Sequence, residues 1–438
     1  MKKYLNRRTF IKNTSLGAMA GPLLIKPGNG AGKSEQAILA YKTLGRTGFD
    51  VTDIGVGYPS GESVLRAALK SGINYIDTAQ QYGNGNHEKM VGKVIRDFDR
   101  DKLFITTKIY EQEQYKSKED VLERVRQALD RLETGYVDCL MLHSAENTRI
   151  LKDEAFHSAM EQLKAEGRVK SVGVSCHGSA WYLPPEEDLE TVLMAAANDG
   201  RFDVFLMTYN FVNKEKAERV LRACAEKNIG TVIMKSNPMI TLKAIEGYIN
   251  RFEQEGQPVN DTLMAWHDRL LDKSNQAKEF FGQYGIVDDE QLVDAAIQFV
   301  ISNPEAHSVC LPFKNISEME RWIPLSGKSL SGDQASLLES YRKQFGELNC
   351  RFGCRECASA CPHDVHVSTI MRYNYYFENK GREKYAMGQY GKLEGSQADV
   401  CLDCPGYCED ACPDKVLVRP MLAMAHDNLL HPTPLNQV

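Results

Sequence analysis

Eight of the twelve cysteines of this 438-residue chain lie in one stretch near its end, between residues 350 and 412. They form two groups of similar spacing, and each group ends in a Cys-Pro pair. The groups are Cys350, Cys354, Cys357 and Cys361, followed by Cys401, Cys404, Cys408 and Cys412. Three cysteines of each group share one short loop, so their thiolates can converge on a single centre. The C-terminal part of the chain is therefore constrained to fold around two thiolate-rich centres.

This doubled pattern is typical of proteins that carry two [4Fe-4S] clusters, whose usual spacing is C-x2-C-x2-C-x3-C-P. In two-cluster ferredoxins the fourth cysteine of each group ligates the other cluster. The predicted ligand sets are Cys350, Cys354, Cys357 and Cys412 for one cluster and Cys401, Cys404, Cys408 and Cys361 for the other. Each group here has one additional residue, which changes the loop but not the class of site.

Zinc and disulfides are the two other common uses of clustered cysteines. Structural zinc normally takes its four ligands as two separated pairs, and this leaves two triplets with a trailing Cys-Pro unexplained. A disulfide framework suits a short secreted chain, whereas this chain is long. We therefore predict a ferredoxin-like domain at about 349–421 that transfers single electrons, with a tail at 422–438. A helix at Val416–His426 would close this domain against the rest of the protein.

Composition excludes some classes of function. The net charge of -6 and the lack of a basic stripe argue against nucleic-acid binding. No stretch reaches the roughly 20 apolar residues that span a bilayer. The remaining cysteines lie in or near apolar runs and are predicted to be buried thiols. They are Cys139, Cys176, Cys224 and Cys310.

The first thirty residues have the features of a twin-arginine export signal. Arg7 and Arg8 precede an aromatic and an aliphatic residue, and a weakly apolar run follows from Leu16 to Ile25. Residues 18–20 (Ala-Met-Ala) offer one cleavage site. The alternative is a chance Arg-Arg pair in a tail without structure. Export of an already folded protein fits a chain that receives iron-sulfur clusters in the cytoplasm, so we expect a periplasmic or other extracytoplasmic location and the twin-arginine export machinery as a partner.

The middle of the chain alternates short apolar runs with longer amphipathic stretches. After a small hairpin at Tyr41–Asp50, eight runs have strand length, and most of them are apolar throughout, as strands buried on both faces must be. The runs are Val51–Gly57, Ile73–Asp77, Leu103–Lys108, Val137–His143, Val169–Ser175, Asp203–Tyr209, Ile229–Lys235 and Ser308–Pro312. Eight strand-helix units predict an α/β protein with a (β/α)8 TIM barrel at about 41–325.

The interval before the eighth run is longer than the others. It indicates an insertion at about 241–288 that contains Trp266 and His267. Loops of this kind lie at the surface and often carry function. We expect the insertion to cover the pocket or to contact a partner.

Polar residues at the ends of three successive strands suggest an active site, because chemistry in such barrels lies at the C-terminal ends of the strands. Asp77, Lys108 and His143 end the second, third and fourth runs, and Tyr82 follows in the next loop. An ammonium beside a tyrosine favours the phenolate, and a carboxylate can hold that ammonium. Such a tyrosine can give a proton to an alkoxide as it forms. Each residue alone has a structural explanation, but four on neighbouring strands favour catalysis.

These motifs resemble those of the aldo-keto reductase family over about Tyr41 to Pro324. They are Tyr41-Lys-Thr-Leu-Gly45-Arg-Thr-Gly48, Ile73-Asn-Tyr-Ile-Asp77-Thr-Ala-Gln-Gln-Tyr82-Gly83, Phe104-Ile-Thr-Thr-Lys108, Leu140-Met-Leu-His143, Val172-Gly-Val-Ser175 and Tyr209-Asn210. The C-terminal segment resembles the ferredoxin-like extension of one branch of that family. The resemblance implies Tyr82 as general acid/base, Lys108 and Asp77 as residues that tune it, and His143 as the residue that orients the substrate oxygen. The substrate would be a small carbonyl or alcohol.

The same resemblance implies NADP or NAD as the hydride carrier, with Ser175, Met234 and Lys235 as candidate contacts. Three positions depart from the family. Cys176 replaces an asparagine and Leu206 a glutamine that bind the nicotinamide amide, and Met234 replaces an aromatic residue that often stacks under the nicotinamide. The basic signature for the 2′-phosphate is also thin around Lys314. Nicotinamide exchanges two electrons and each cluster one, so a flavin or a partner protein must split the pair. The electron partner would be a redox protein or linked to quinone.

Two other functions remain open from the sequence. The barrel could have lost its cofactor and serve as a docking platform in a non-catalytic electron-transfer module. Alternatively, Tyr110, Trp181 and Tyr182 could stack on a sugar in a sugar- or lipid-binding barrel, although packing at the rim explains them as well. A Tyr82→Phe variant separates the first alternative from the enzyme.

Overall fold

The computed structural model describes residues 39–110, 116–178, 187–237, 250, 261–286, 289–379, 382–393 and 397–430. The predicted export signal, most of the first half of the predicted insertion, and both Trp181 and Tyr182 lie outside these residues. No helix within the described ranges is long and apolar enough to cross a membrane.

A two-stranded antiparallel hairpin precedes the barrel, with β1 at Tyr41–Thr43 and β2 at Asp50–Thr52. The run predicted at Val51–Gly57 is therefore two elements, because its first residues belong to this hairpin. The chain bends between them at Asp53, whose buried carboxylate accepts hydrogen bonds from the Ser326 hydroxyl and the Gly327 N–H at 2.5 and 2.8 Å.

Eight parallel strands close into a barrel, and this confirms the (β/α)8 prediction. The strands are β3 (Ile54–Val56), β4 (Tyr75–Asp77), β5 (Phe104–Ile109), β6 (Val137–Leu142), β7 (Val169–Cys176), β8 (Val204–Thr208), β9 (Gly230–Met234) and β10 (Ser308–Leu311). Each strand pairs with the next, and β10 closes the ring on β3. The strands are almost fully buried, since side chains fill the interior and helices cover the outside.

The helices of the barrel part follow the amphipathic patterns of the sequence. They are α1 (Glu62–Lys70), α2 (Asn86–Ile95), α3 (Lys118–Leu132), α4 (Glu154–Ala165), α5 (Leu189–Asp199), α6 (Glu215–Glu226), α7 (Asp261–Tyr284), α8 (Asp289–Ile301) and α9 (Ile316–Trp322). Helix α3 shows how the sequence specifies them. The Ser117 hydroxyl caps its N-terminus by accepting from the Asp120 N–H. Residues spaced by three and four, from Val121 to Leu132, then bury one face against the strands.

The last part of the chain is helical and packs on the side of α7. Its helices are α10 (Gly332–Phe345), α11 (Val367–Asn379), α12 (Glu383–Tyr390), α13 (Tyr407–Asp410) and α14 (Val418–Leu429). Helix α14 lies where a closing helix was expected. Phe280 of α7 contacts the ring of Phe345 edge-on at 5.6 Å, and Trp266 is buried in the same cluster. The described part of the predicted insertion therefore supports the C-terminal helices. The domain limits stay predictions.

All twelve cysteines lie in the described residues, and none forms a disulfide. The four cysteines outside the C-terminal stretch are buried in the barrel part, as predicted. Burial raises the pKa of the Cys176 thiol to about 12, so this thiol is protonated at neutral pH and has no reactive thiolate.

Close packing of α2 on α3 gives a stability prediction at Gly92. A Cβ atom at Gly92 would lie 2.7 Å from the carbonyl oxygens of both Arg131 and Leu132, and a backbone cannot move aside as a side chain can. We expect Gly92→Ala to lower the free energy of unfolding by about 1–3 kcal/mol. Gly282→Ala, also in a helix but with no atom near its new Cβ, is the matched control. It should raise that free energy by about 0.5–1 kcal/mol, and equal destabilisation by both changes would contradict the packing argument.

Candidate active site and cysteine centres

The four polar residues predicted from the strand ends meet at one end of the barrel, which we call the barrel mouth. Asp77 is the last residue of β4, Lys108 lies near the end of β5, and His143 directly follows β6. Neighbouring parallel strands end side by side, so their last side chains share one region. Tyr82 reaches the same region from the loop after β4, in which the Tyr82 N–H donates to the Ala79 carbonyl.

Lys108 lies at the centre of this group, between Asp77 and Tyr82. Its ammonium lies 2.6 Å from the Asp77 carboxylate, donates to the Thr78 carbonyl at 2.8 Å, and lies 3.4 Å from the Tyr82 hydroxyl oxygen. The Tyr82 hydroxyl also lies 3.4 Å from Asp77 Oδ2. Both members of the ion pair are buried. A buried charge needs a partner with good geometry, so Asp77 and Lys108 keep each other in place beneath the tyrosine.

The electrostatics make Tyr82 a neutral phenol at pH 7. Burial raises its pKa well above the ordinary value, the Asp77 carboxylate raises it further, and Arg382 acts in the opposite direction. Burial therefore keeps the phenol protonated, and the expectation that the Lys108 ammonium favours the phenolate stays a prediction. A neutral phenol is the form that can donate a proton.

His143 completes the group from the next strand. Its ring centre is 6.0 Å from that of Tyr82, and its Nδ1 atom is buried without a hydrogen-bond partner in the described part of the chain. Burial lowers the pKa of His143 well below its ordinary value, and the charges of Lys108, Arg382 and Arg372 lower it further. The imidazole is therefore neutral at pH 7 and can donate one hydrogen bond to a substrate oxygen.

The three candidate nucleotide contacts lie at the ends of β7 and β9. Ser175 is buried, and its hydroxyl oxygen accepts the Ser144 N–H at 2.8 Å, which leaves the O–H able to donate. Met234 is half-buried at the end of β9. Lys235 has a left-handed backbone with φ of 59°, and its ammonium lies 4.2 Å from the ring centre of Phe352 and 5.3 Å from that of Tyr376. Lys235 thus faces the C-terminal helices.

Among the described residues, the barrel mouth also contains Tyr58, His87, Arg372 and Arg382, which sequence reasoning did not identify. Tyr58, just after β3, contacts the Tyr82 ring edge-on at 5.4 Å and stacks on His87 at 4.8 Å. The same strand-end argument that found Asp77 could have found Tyr58. Arg372 and Arg382 come from the C-terminal segment, and no pattern in the barrel part of the sequence indicates them.

The barrel holds the first cysteine loop by hydrogen bonds to two backbone carbonyls of the loop. Asn213 donates through its side-chain amide to the Phe352 carbonyl at 2.8 Å, and the Leu189 N–H donates to the Gly353 carbonyl at 3.2 Å. Asn213 follows β8 in the chain, and Leu189 begins α5, the helix after β7. The loop that bears Cys350 and Cys354 is therefore held directly at the barrel mouth.

Gly353 allows this close approach and gives a second prediction. Its φ is 74°, and an added Cβ would lie 2.9 Å from the His177 carbonyl oxygen. We expect Gly353→Ala to displace the loop, so that limited proteolysis cuts within 346–366 at least about tenfold faster, the effect of about 1.4 kcal/mol in local opening. Gly48→Ala is the control, because its φ is 70° but no atom lies near its new Cβ. If both variants are cleaved within 346–366 at equal rates, the contact between Gly353 and the His177 carbonyl is not tight.

The eight C-terminal cysteines line two cavities. One is lined by Cys361, Cys401, Cys404 and Cys408, and the other by Cys350, Cys354, Cys357 and Cys412. Each cavity thus combines three cysteines of one group with the last cysteine of the other group. This is the exchange expected from the sequence pattern.

Electrostatic effects between the thiols follow this grouping at Cys401 but not at Cys357, where the largest effect of another thiol comes from Cys408 of the other cavity. Burial raises the pKa of Cys401 to about 12, and the charges of Cys408, Cys361 and Cys404 raise it further. Within the described ranges, no three His, Cys, Asp or Glu residues are placed to hold a single metal ion. The ligands of a single ion must all converge on one atom, whereas each thiolate of a cuboidal cluster binds a different iron atom and the thiolates can lie further apart.

A sequence profile described as the Aldo/keto reductase family matches residues 45–343. The match ends before the first cysteine of the C-terminal stretch. Among curated proteins, the chain is 23% identical over 324 residues to an aldo-keto reductase, YhdN, of Bacillus subtilis, with 67% of this chain and 91% of the relative covered. It is 25% identical over 325 residues to L-galactose dehydrogenase of Arabidopsis thaliana, with 69% and 93% covered.

Solved structures show the same fold. An aldo-keto reductase from Bacillus halodurans in its holo form superposes with a TM-score of 0.50 at 19% identity, covering 69% of this chain and 96% of the other. At this identity the likeness supports the barrel architecture alone.

Proposed function

The chain belongs to the aldo/keto reductase family and is an oxidoreductase, and on this premise we propose that it reduces a carbonyl or oxidises an alcohol with Tyr82 as general acid/base. One observation carries the proposal. The Lys108 ammonium lies 2.6 Å from Asp77 and 3.4 Å from the Tyr82 hydroxyl, beside a neutral His143. A Ser-, Cys- or metal-based hydrolase would not need this arrangement.

Tyr82, Lys108 and His143 have separate roles in the transfer of the proton. In reduction, the carbonyl carbon accepts a hydride and the Tyr82 phenol gives its proton to the oxygen. The phenolate that remains lies beside the Lys108 ammonium, which stabilises the new negative charge. His143 donates a hydrogen bond to the same oxygen and orients the carbonyl. In alcohol oxidation these steps run in reverse.

A nicotinamide nucleotide, when bound, supplies or removes the hydride. NADPH appears with a related aldo-keto reductase of Klebsiella pneumoniae, and we extend nicotinamide dependence to this chain as a proposal. The residues at the proposed nucleotide site fit a nicotinamide in part. Ser175 has an O–H free to donate to a carboxamide, and Met234 offers an apolar surface. Cys176 and Leu206 are buried and supply no amide-type partner. We therefore assign only Ser175, Met234 and Lys235 to the nucleotide.

We propose two [4Fe-4S] clusters in the C-terminal segment. The eight thiols fit them, because each of the two cavities is lined by four cysteines in the combination that two-cluster ferredoxins use. The cluster of the Cys350 set would lie nearer the barrel mouth, since Phe352 of its loop contacts Lys235. Each cluster exchanges one electron at a time, so a flavin or a redox protein that splits electron pairs is part of the proposal.

We also propose that the protein is exported by the twin-arginine route, on the strength of Arg7, Arg8 and the apolar run that follows. Cell fractionation tests this. The doubly substituted Arg7→Lys, Arg8→Lys protein should stay in the cytoplasm with its iron, whereas the unchanged protein should reach the periplasm. Periplasmic recovery of both would refute this route.

The second candidate is a non-catalytic electron-transfer module. One observation favours it, because Arg382 of the C-terminal segment lies 6.0 Å from the Tyr82 ring centre and so covers the catalytic group. In this case the barrel docks a partner and has no turnover of its own.

The test begins with protein purified without oxygen from the exported fraction. It is denatured, the released small molecules are identified by mass spectrometry, and iron is counted on the same sample. NADP or NAD with about eight irons, the number in two cubane clusters, supports the hydride enzyme. A flavin would identify the splitter of electron pairs. Iron without an organic cofactor, together with no activity when nucleotide is added, would favour the electron-transfer module.

A further inference from the structure

Two arginines of the C-terminal segment enter the barrel mouth. Arg372 lies on α11 and Arg382 directly precedes α12. Both positive charges act on the pKa of His143, and that of Arg382 also acts on Tyr82. The C-terminal segment therefore contributes to the walls of the proposed active site as well as bearing the cysteines.

Arg372 is buried, and one nitrogen of its guanidinium group lacks a hydrogen-bond partner among the described residues. The residue is only 6% exposed, and its Nε atom has no hydrogen-bond partner in the described part of the chain. It is one helical turn before Tyr376, so the two side chains share a face of α11. The ring of Tyr376 lies 5.3 Å from the Lys235 ammonium and 5.7 Å from the Arg382 guanidinium. The shared face is thus turned toward the barrel mouth.

Arg382 is held there by aromatic rings. Its guanidinium carbon lies 4.2 Å from the ring centre of Tyr385 and 5.5 Å from that of Tyr58. Cation–π contacts of this kind fix the plane of a guanidinium but leave its N–H groups unused. Those donors remain available to an acceptor that lies in the plane of the group.

The charges of the barrel mouth do not balance among the described residues. Lys108, Arg372 and Arg382 are cationic, whereas the described carboxylates there are Asp77 and Glu146. Asp77 is already committed to Lys108, and Glu146, which accepts a hydrogen bond from the Tyr110 hydroxyl at 3.0 Å, is a counter-charge to Arg372. Two guanidinium groups, which stay charged in proteins, therefore face one carboxylate, and an incompletely compensated charge is costly where it is buried, as at Arg372. A bound anion would remove this cost.

We propose that the barrel mouth binds an oxyanion group of the substrate, a carboxylate or a phosphate, through Arg372 and Arg382. The substrate class would then be small carbonyl compounds or alcohols that carry such a group, with the reacting oxygen at Tyr82 and His143. Guanidinium groups suit this role because their paired N–H donors match the two oxygens of a carboxylate or phosphate. This inference about the substrate depends on the proposed function, but the anion site itself does not.

Binding without turnover is the first measurement. Inorganic phosphate, benzoate and benzamide are titrated into the holoprotein by isothermal calorimetry, since the last two have the same shape and differ in charge. We expect phosphate and benzoate to bind, and benzamide to bind at least about tenfold more weakly, as expected when charge-assisted hydrogen bonds are lost. Equal binding of benzoate and benzamide, with no binding of phosphate, would overturn the proposal.

Variants locate the site. Arg372→Gln and Arg382→Gln should each weaken anion binding by about 10- to 100-fold and leave the binding of benzamide within about twofold. Arg382→Lys keeps the charge and should recover part of the affinity. Arg342→Gln is the control for loss of one arginine, because Arg342 pairs with Glu215 on the outer surface. Iron content reports folding, and if Arg372→Gln does not fold, Arg382→Gln alone decides.

Turnover then tests the substrate class. With NADPH supplied, formation of the 4-hydroxymethyl product is followed for 4-formylbenzoate and its neutral analogue 4-formylbenzamide. A lower KM for 4-formylbenzoate that is lost in Arg382→Gln supports the proposal, and equal KM values refute it for the substrate. If the arginine variants instead weaken only NADPH binding, the anion is a phosphate of the nucleotide and the proposal is wrong. No turnover of either aldehyde, with anion binding intact, would count against the proposed reaction and not against the anion site.

Discussion

Replacing Tyr82 with phenylalanine should lower kcat for carbonyl reduction by about 10²- to 10⁴-fold, the usual contribution of general acid–base catalysis. The phenol is the group from which the substrate oxygen would receive its proton, and burial keeps it protonated at neutral pH. Phenylalanine retains the ring and its contacts with Tyr58 and His143. The loss should therefore appear in kcat, while KM stays within a few-fold.

Tyr58→Phe is the matched control, because it removes a hydroxyl from the neighbouring ring at the same mouth. We expect its kcat to stay within a few-fold of the unchanged protein. Reduction of the clusters by dithionite, followed by their visible absorbance, should be the same in all three proteins. An equal fall in kcat for both variants would mean that the effect is general packing of the aromatic group. Turnover at the full rate in Tyr82→Phe would show that Tyr82 is not the general acid.

Removing a single cysteine of a predicted set should reduce the iron content from about eight to about four per chain, since each cluster holds four irons. The pairing is tested by double substitutions. Cys350 and Cys412 line the same cavity, so the doubly substituted Cys350→Ala, Cys412→Ala protein should still hold about four irons. The doubly substituted Cys350→Ala, Cys361→Ala protein removes a ligand from each cavity and should hold almost none.

A pairing within each sequence group predicts the reverse order of iron contents for these two proteins, so the measurement distinguishes the two arrangements. Cys224→Ala is the control. This thiol is buried in α6 of the barrel part, away from both cavities, and its removal should leave about eight irons. Iron and acid-labile sulfide are counted on anaerobically purified protein, and near-UV circular dichroism checks the fold of the barrel.

Local patterns in the chain were enough to predict the barrel and the residues of its mouth. Strands buried on both faces must be apolar throughout, so the eight runs are visible without any knowledge of their partners. The polar residue that ends such a run stands out, and parallel pairing then brings Asp77, Lys108 and His143 together. The cysteine groups are equally visible, because three of the four proposed ligands of each cluster share one short loop.

Burial and long-range contacts decided the remaining features. The protonation state of Tyr82 depends on how much water the fold removes from it, and no spacing in the sequence reports that quantity. Arg372 and Arg382 follow Tyr82 by about three hundred residues, and they reach it because Gly353 and Phe352 dock the cysteine loop on the ends of β7 and β8. Periodicity describes which face of an element is buried but not which distant element covers it. For that reason the class of fold and the proposed catalytic group follow from the sequence, whereas the charge of the barrel mouth follows from the way the C-terminal segment packs on the barrel.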